Sequence, residues 1–323
     1  MTLRTVRSQE ECWLLDSLCL SKTVPEENAD IFDKKIIVLG SSGFIGKSIV
    51  KSFSKNKTET VIGITSSDVD LRDEKQVFAN LPGLMRNSVV VMAASITRDR
   101  DSSTTSLLSN IKMDTNLANV LSNYPAAFVI YISTIDVYGR ECLTLPLNEK
   151  SWTKPSNYYA ISKLAGEHIL CSACTTKQIP FTILRIPALF GPGDTHSSPI
   201  KNFIISAINR EIIKIRGTGN EMRNFLYIDD VSQVVKAIIL NQIEGLYNVV
   251  NKKSFRINHV IKIIEKLCNY PLEVVSSDEN RDFKEMNIEF DATNFLNSFP
   301  EFNCTEIEIG IKKTYEYYRD LQK

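Results

Sequence analysis

From Lys35 onward the chain alternates between short runs of Val, Ile, Phe and Leu and longer amphipathic stretches, and this alternation constrains the fold more than any other feature. The apolar runs predict strands at 35–39, 60–65, 88–92, 127–132 and 180–185; the stretches between them predict helices at 44–54, 73–80, 104–123 and 157–176. A strand apolar at nearly every position has no solvated face, so it belongs in a parallel sheet covered on both sides by helices. The pattern therefore implies an α/β fold with a doubly wound parallel sheet. A chain of 323 residues with 43% hydrophobic content can bury such a core.

The first strand runs into Gly40, Gly43 and Gly46, three glycines spaced three apart, and then directly into a helix. Without a Cβ, glycine lets a neighbouring backbone or a ligand phosphate come close. A helix beginning near Gly43 offers unsatisfied N–H groups and the positive end of its dipole, which suits a pyrophosphate without any cationic side chain. In this strand–turn–helix setting the glycines point to a dinucleotide.

After Arg185 the regularity weakens. "PALFGPGDTHSSP" reads as loop, 200–209 as helix, "RGTGNE" as a turn and "NFLYI" as a strand leading into a helix that opens at Asp229 or Asp230. "GLYNVV" reads as a strand, 257–268 as a helix and 305–322 as a closing helix. The expected organisation is an N-terminal extension at 1–33, a Rossmann-type dinucleotide-binding domain at 34–186 to which 224–250 returns, and a smaller discontinuous substrate-binding lobe within 187–323. "SQEECWLLDSLCL" within the extension reads as a short helix carrying Trp13, Leu14 and Leu18 on one stripe.

Thirty-eight basic residues balance 38 acidic ones, so no global field draws the chain to nucleic acid or to an anionic membrane. "FVIYI" and "SVVVMAAS" fall far short of the roughly 20 residues a membrane-spanning helix needs. Glu10, Glu11 and Asp16 interrupt the N-terminal apolar patch and make it a poor signal peptide. Seven scattered cysteines, an odd number, argue for reduced thiols and a cytoplasmic location. His168, Cys171 and Cys174 recur three apart on a predicted helix, but no second cluster completes a metal site, so helix packing is the expectation.

Two further elements carry chemistry. Tyr159 and Lys163 are four apart on a predicted helix and share a face, so the ammonium can approach the phenol. A phenol must lose about 3 pKa units to act as a base near neutrality, about 4 kcal/mol of selective stabilisation of the phenolate. The strand at 127–132 delivers Ser133 and Thr134 to its carboxyl end, where a hydroxyl can donate to a sugar oxygen or a carbonyl.

The glycine set, Thr134, Tyr159 and Lys163 in this order resemble the extended short-chain dehydrogenase/reductases, specifically the NAD-dependent epimerase/dehydratase group acting on nucleotide sugars. The resemblance covers about residues 35–320 and extends to "VMAAS", Asn110, "ILRIPALFGPGD" and "IRGTGNEMRNFLYIDDV". It implies that Tyr159 is the acid/base at sugar C4, that Lys163 holds the cofactor ribose and lowers the phenol pKa, and that Thr134 hydrogen-bonds the reacting oxygen. The cofactor would also meet Gly40, Ser42, Gly43, Phe44, Ile45, Gly46, Asp70, Leu71, Ala93, Ala94, Asn110, Ile186 and Pro187. A nucleotide-diphosphate sugar would meet Ser95, Thr134, His196 and Arg223, with Arg223 on the diphosphate. A homodimer through the helices 104–123 and 157–176 is implied as well.

The departures from that pattern narrow the expectation. Thr65 and Ser66 stand at the end of the second strand, where NAD-preferring members commonly carry an acid, and this favours NADP over NAD although no Arg sits beside them. Asp70 resembles the adenine contact, with helix N-cap for the segment from Arg72 as its other reading. The dehydratases resemble each other in an Asp-Glu pair after the threonine; here Ile135-Asp136 follows, which argues against dehydration. Asp136 reads as a carboxylate that hydrogen-bonds a substrate hydroxyl or as a proton carrier in epimerisation with His196, itself otherwise an exposed loop residue. The expected activity is reduction of a nucleotide-diphosphate-linked 4-keto-6-deoxyhexose. An NAD-dependent 4-epimerase is the first alternative, and a dehydratase or a non-catalytic dinucleotide-binding protein stands behind it.

Overall fold

Strands with apolar side chains on both faces must be covered twice. The computed structural model, which describes residues 35–54, 60–140, 144–276 and 287–322, meets that demand with a six-stranded sheet. The expected N-terminal helix lies outside the described residues. In chain order the first half comprises β1 (Lys35–Leu39), α1 (Phe44–Phe53), β2 (Val61–Ile64), α2 (Glu74–Asn80), α3 (Pro82–Met85), β3 (Ser88–Met92) and α4 (Thr104–Asn123). It continues with β4 (Phe128–Thr134), a 3₁₀ turn (Ile135–Tyr138), α5 (Tyr158–Thr176), β5 (Phe181–Ile186), β6 (Ala188–Phe190) and α6 (Pro199–Asn209). The rest is β7 (Ile213–Ile215), β8 (Met222–Arg223), β9 (Phe225–Tyr227), α7 (Ile228–Asn241), β10 (Gly245–Asn248), β11 (Phe255–Arg256), α8 (Ile257–Cys268), β12 (Val274–Ser276), α9 (Thr293–Ser298) and α10 (Ile307–Asp320).

The main sheet runs β10-β5-β4-β3-β1-β2 with every neighbouring pair parallel. Side-chain alternation divides each strand between two cores. Ile37, Leu39, Val90, Met92 and Val129 face α2, α4 and α5, whereas Ile36, Val38, Val89, Val91 and Ile130 face α1, α7 and α9. Chain order reverses at β1, with β2 on one side and β3 on the other, so a crevice opens beyond their carboxyl ends. A third core, built from α6, α8 and α10 with Ile213, Ile215 and Phe225, forms the smaller lobe and reaches back to Phe44 at the start of α1.

Several boundaries differ from the sequence pattern, each for a local reason. β4 runs on to Thr134 because Ser133 and Thr134 pair with Arg185 and Ile186 of β5. The expected loop after Ile186 contains β6, which pairs with β9. β10 stops at Asn248, although Val249 and Val250 remain buried. α7 begins at Ile228, so Asp229 and Asp230 occupy its first turn, and Asp230 accepts hydrogen bonds from the Thr305 N–H and hydroxyl at 3.0 and 2.7 Å. That tie holds the chain just ahead of α10, which starts at Ile307 rather than at 305. On α5, Cys171 and Cys174 are buried in the core while His168 is exposed, so the three do not share a face. No described helix is long and apolar enough to cross a membrane.

Candidate active site

Gly40 adopts φ +85°, and a Cβ there would lie 2.6 Å from the Ala94 backbone, so glycine is needed where the turn meets the end of β3. A Cβ on Gly46 would lie 2.2 Å from the Gly40 carbonyl oxygen; its absence lets α1 close onto the turn. Gly43 is the N-cap of α1 and provides no side-chain cap, so the first N–H groups of that helix stay open to a ligand. The chain thus fits a dinucleotide pyrophosphate at this turn.

At the end of β2 the structure adds a charge that the linear pattern did not reveal. Asp68 folds back so that its Oδ2 accepts from the Thr65 N–H at 2.8 Å and from the Thr65 hydroxyl at 2.7 Å. These bonds hold its carboxyl below the usual value. Asp70 is not a helix N-cap: Asp73 caps α2 by accepting from Lys75 and Gln76, while Asp70 binds the Arg72 guanidinium at 2.9 and 2.7 Å. Leu71 is buried, and its carbonyl accepts from Asn116 at 2.8 Å.

A cleft of about 660 Å³ opens between the sheet and the smaller lobe. Phe44, Ile45, Thr134, Asp136, Tyr159, Ile186, Pro187, His196 and Arg223 all line it, bringing together residues from both halves of the chain. Gly40, Ser42, Gly43, Gly46, Asp70, Leu71, Ala93, Ala94, Ser95 and Asn110 lie outside that lining: Gly46 in the first turn of α1, Asn110 within α4, and the others in the segments that follow β1, β2 and β3. Asn110 does structural work: its amide accepts from the Ile96 N–H at 2.8 Å and donates to the Ile96 carbonyl at 3.0 Å and to Ser162 at 3.1 Å. The Ser95 hydroxyl is buried with no hydrogen-bond partner among the described residues.

Within the cleft, Thr134 Oγ1 accepts from the Asp136 N–H at 3.2 Å, which fixes the hydroxyl at the strand end. Burial, followed by the nearby Asp136 carboxylate, raises the Tyr159 phenol pKa. Asp136 itself binds Arg98 at 3.0 Å. His196 Nδ1 stands 3.1 Å from Asp99 Oδ2, and its ring meets Phe44 edge to face at 6.3 Å. Burial opposes ionisation of Asp99, but hydrogen bonds from Thr97 and His196 hold its carboxyl below the usual value. His196 is therefore anchored rather than loose in its loop. Arg223 is half-buried; desolvation and the neighbouring Arg140 lower its pKa, against the opposing pull of the Glu221 and Asp136 carboxylates.

Sequence reasoning missed Arg98, Asp99, Arg140, Arg216 and Glu221, all in the lining of this cleft. They sit in irregular segments and converge only in three dimensions. Glu221 is 4% exposed and its Oε2 has no partner among the described residues.

Lys163 does not line the cleft. It is buried one helical turn beyond Tyr159, with its Nζ 3.9 Å from the centroid of the Tyr131 ring. Glu167, one further turn along, receives Arg185 at 3.0 and 2.7 Å and Ser133 at 2.5 Å. Arg185 also donates to Tyr138 at 2.9 Å, and Tyr138 donates to Asn248 at 2.8 Å.

Residues 36–250 match the model of the NAD dependent epimerase/dehydratase family. The chain belongs to that family. Among its relatives in the NAD dependent epimerase/dehydratase family is a dTDP-D-glucose 4,6-dehydratase of Dictyostelium discoideum, 26% identical over 275 residues that make up 74% of this chain and 63% of that protein. Another is a trifunctional UDP-glucose 4,6-dehydratase/UDP-4-keto-6-deoxy-D-glucose 3,5-epimerase/UDP-4-keto-L-rhamnose-reductase of Arabidopsis thaliana, 28% identical over 58% of this chain and 29% of that protein. The matched region thus spans less than two thirds of either relative. In fold, the chain is similar to a UDP-glucose 4-epimerase of Thermotoga maritima solved with UDP-glucose, with a TM-score of 0.77, 21% identity and coverage of 90% of this chain and 100% of that one.

Proposed function

We propose that this member of the family is a nucleotide-sugar oxidoreductase that reduces a nucleotide-diphosphate-linked 4-keto-6-deoxyhexose. The observation that carries the reading is the cleft's supply of proton donors. Tyr159 and Thr134 line it together, while Ile135, also in its lining, leaves the position after Thr134 without a proton donor. Dehydration needs a donor for the leaving hydroxyl as well as a base. Reduction of a ketone needs one proton delivered to one oxygen, which Tyr159 supplies while Thr134 hydrogen-bonds that oxygen. The same pair serves a 4-epimerase, which remains the alternative; the Arg98 ion pair favours the reductase, because it engages the Asp136 carboxylate that a second proton transfer would need free.

A bound nicotinamide dinucleotide would supply the hydride. Gly40, Ser42, Gly43 and Gly46 would receive its pyrophosphate, Asp70, Leu71, Ala93 and Ala94 would flank its adenosine side, and Phe44, Ile45, Ile186 and Pro187 would flank its reactive end. Lys163 sustains a positive field behind Tyr159. Arg223 and Arg140 would grip the substrate diphosphate, and Ser95, Asp136 and His196 would face the sugar. For the cofactor, Thr65 and Ser66 allow NADP, whereas Asp68 brings an anion to the end of β2 and Arg72 is already engaged by Asp70. A carboxylate there repels a 2′-phosphate, so NAD is the better reading.

We also read residues 34–186 with 224–250 as the dinucleotide-binding domain and the rest of 187–323 mainly as the substrate lobe. A homodimer through α4 and α5 is supported by exposed Leu108, Tyr158 and Ile161 on those helices; light scattering at the mass of a monomer would refute it. Balanced charge and scattered cysteines favour the cytoplasm.

The test is incubation of the purified protein with NADH, then NADPH, and a panel of nucleotide-linked 4-ketohexoses, read by nicotinamide fluorescence with products identified by NMR. Stoichiometric loss of reduced cofactor with one ketosugar is expected. Sugar inversion at C4 without net cofactor loss would replace the reductase by the epimerase.

A further inference from the structure

In the proposed reduction Tyr159 gives up its proton, and the burial that raises its pKa opposes the phenolate left behind unless something offsets it. On α5 that group is Lys163, which must itself keep a proton while only 2% exposed. Desolvation works against that charge, so an anion has to stand nearby.

The charged and titratable groups that act on Lys163 are Glu167 on α5, Tyr131 on β4 and Asp114 on α4, with Tyr159 one helical turn before it; Cys171 and Arg185 lie against Glu167. Glu167 is engaged by Arg185 through two hydrogen bonds, so its charge is already answered. Asp114 is hydrogen-bonded in that way by no cation among the described residues. It is 2% exposed, and its Oδ2 accepts from the Tyr131 hydroxyl at 2.9 Å, while Lys163 Nζ lies over that same tyrosine's ring. The space is built for this arrangement: a Cβ on Gly166 would lie 2.2 Å from Asp114 Oδ2 and 2.0 Å from the Tyr131 oxygen.

We propose that Asp114 is the counter-ion that holds Lys163 as an ammonium behind Tyr159, and so acts as a positioning residue for proton transfer at the sugar oxygen. The inference rests on the reading of Tyr159 as the acid/base. The directions of the shifts agree with it. Burial raises the Asp114 carboxyl to about 6, and Lys163 and Tyr131 pull the other way, towards its anion. Burial lowers Lys163 to about 8, and Asp114 and Glu167 pull the other way, towards its ammonium. Removing the Asp114 charge removes one of the two influences that raise the Lys163 pKa. Lys163 then loses its proton at lower pH, and the alkaline limb of the turnover profile moves the same way.

The experiment compares wild type, Asp114→Asn and Tyr131→Phe. Asn keeps the shape and can still accept from Tyr131; Phe keeps the ring and the Asp114 charge but removes the hydroxyl. Lys163 is titrated by NMR of protein labelled at lysine Cε, its resonance assigned by loss in Lys163→Met, and kcat is measured against pH on the ketosugar that the wild type turns over. Thermal melts check folding. For Asp114→Asn the Lys163 midpoint and the alkaline limb are expected to fall together by about one unit or more, with a smaller shift for Tyr131→Phe. An unmoved Lys163 midpoint in folded Asp114→Asn would overturn the proposal. So would a moved midpoint with an unmoved limb, or equal shifts in the two variants. Should Asp114→Asn fail to fold, Asp114→Ser supplies the same readouts. If the wild type turns over no sugar while Lys163 still titrates lower in Asp114→Asn, the ion pairing stands and the oxidoreductase reading fails.

Discussion

Two charged regions meet at Tyr159 and obey different rules. Behind it, Glu167 and Arg185 are at most 1% exposed and are bound through two hydrogen bonds. In front of it, Arg98 and Asp136 pair at 3.0 Å with side chains 49% and 25% exposed. Breaking a buried pair leaves a desolvated charge, whereas breaking a wet one lets water and salt replace the partner. The buried layer therefore holds the fold and sets the field, and the wet layer is free to exchange its partners for substrate.

Substitutions should separate the two regions. The largest effect is expected at their junction: Tyr159→Phe should lower turnover by about 10²–10⁴-fold while leaving cofactor affinity and the thermal midpoint nearly unchanged. Unchanged turnover would remove Tyr159 from the chemistry. Next, Glu167→Gln should cost about 3–5 kcal/mol in urea unfolding, because Arg185 would keep its charge without an ionised partner. A loss below about 1 kcal/mol would make the buried layer no different from the cleft. Asp68→Asn should shift the ratio of NADPH to NADH affinity by about fivefold to tenfold towards NADPH; equilibrium titration of both cofactors measures it, and an unchanged ratio would deny Asp68 a role. The smallest effect belongs to Arg98→Ala, expected to cost less than about 1 kcal/mol and to fade further in high salt. A cost there equal to that of Glu167→Gln would erase the contrast.

The same divide explains what is legible in the sequence alone. α4 and α8 occur where the periodicity places them, at Thr104–Asn123 and Ile257–Cys268, because each carries its own apolar stripe. The strands of the main sheet are nearly continuous apolar runs, and the glycine turn carries its reason in its own spacing. In the smaller lobe β8 pairs Met222 and Arg223 with Arg256 and Phe255, and β7 pairs three residues with β12. Strands that short owe their form to distant partners and leave no period to read. Asp114 shows the same limit on the chemistry. On α4 it reads as one more polar helix residue, and only the packing of α4 on α5 sets it behind Lys163. Asp68 likewise reaches the end of β2 only because the chain turns back on Thr65, a contact that no strand register announces.

The claim on which these arguments converge is that hydride and proton meet at one sugar carbonyl beside Tyr159. The direct test uses nicotinamide cofactor carrying deuterium on the transferring face, with the turned-over nucleotide sugar analysed by NMR. Deuterium at C4 of the sugar product, abolished in Tyr159→Phe, is the predicted result. Product formed with deuterium retained entirely in the cofactor, or carried at another sugar carbon, would contradict it.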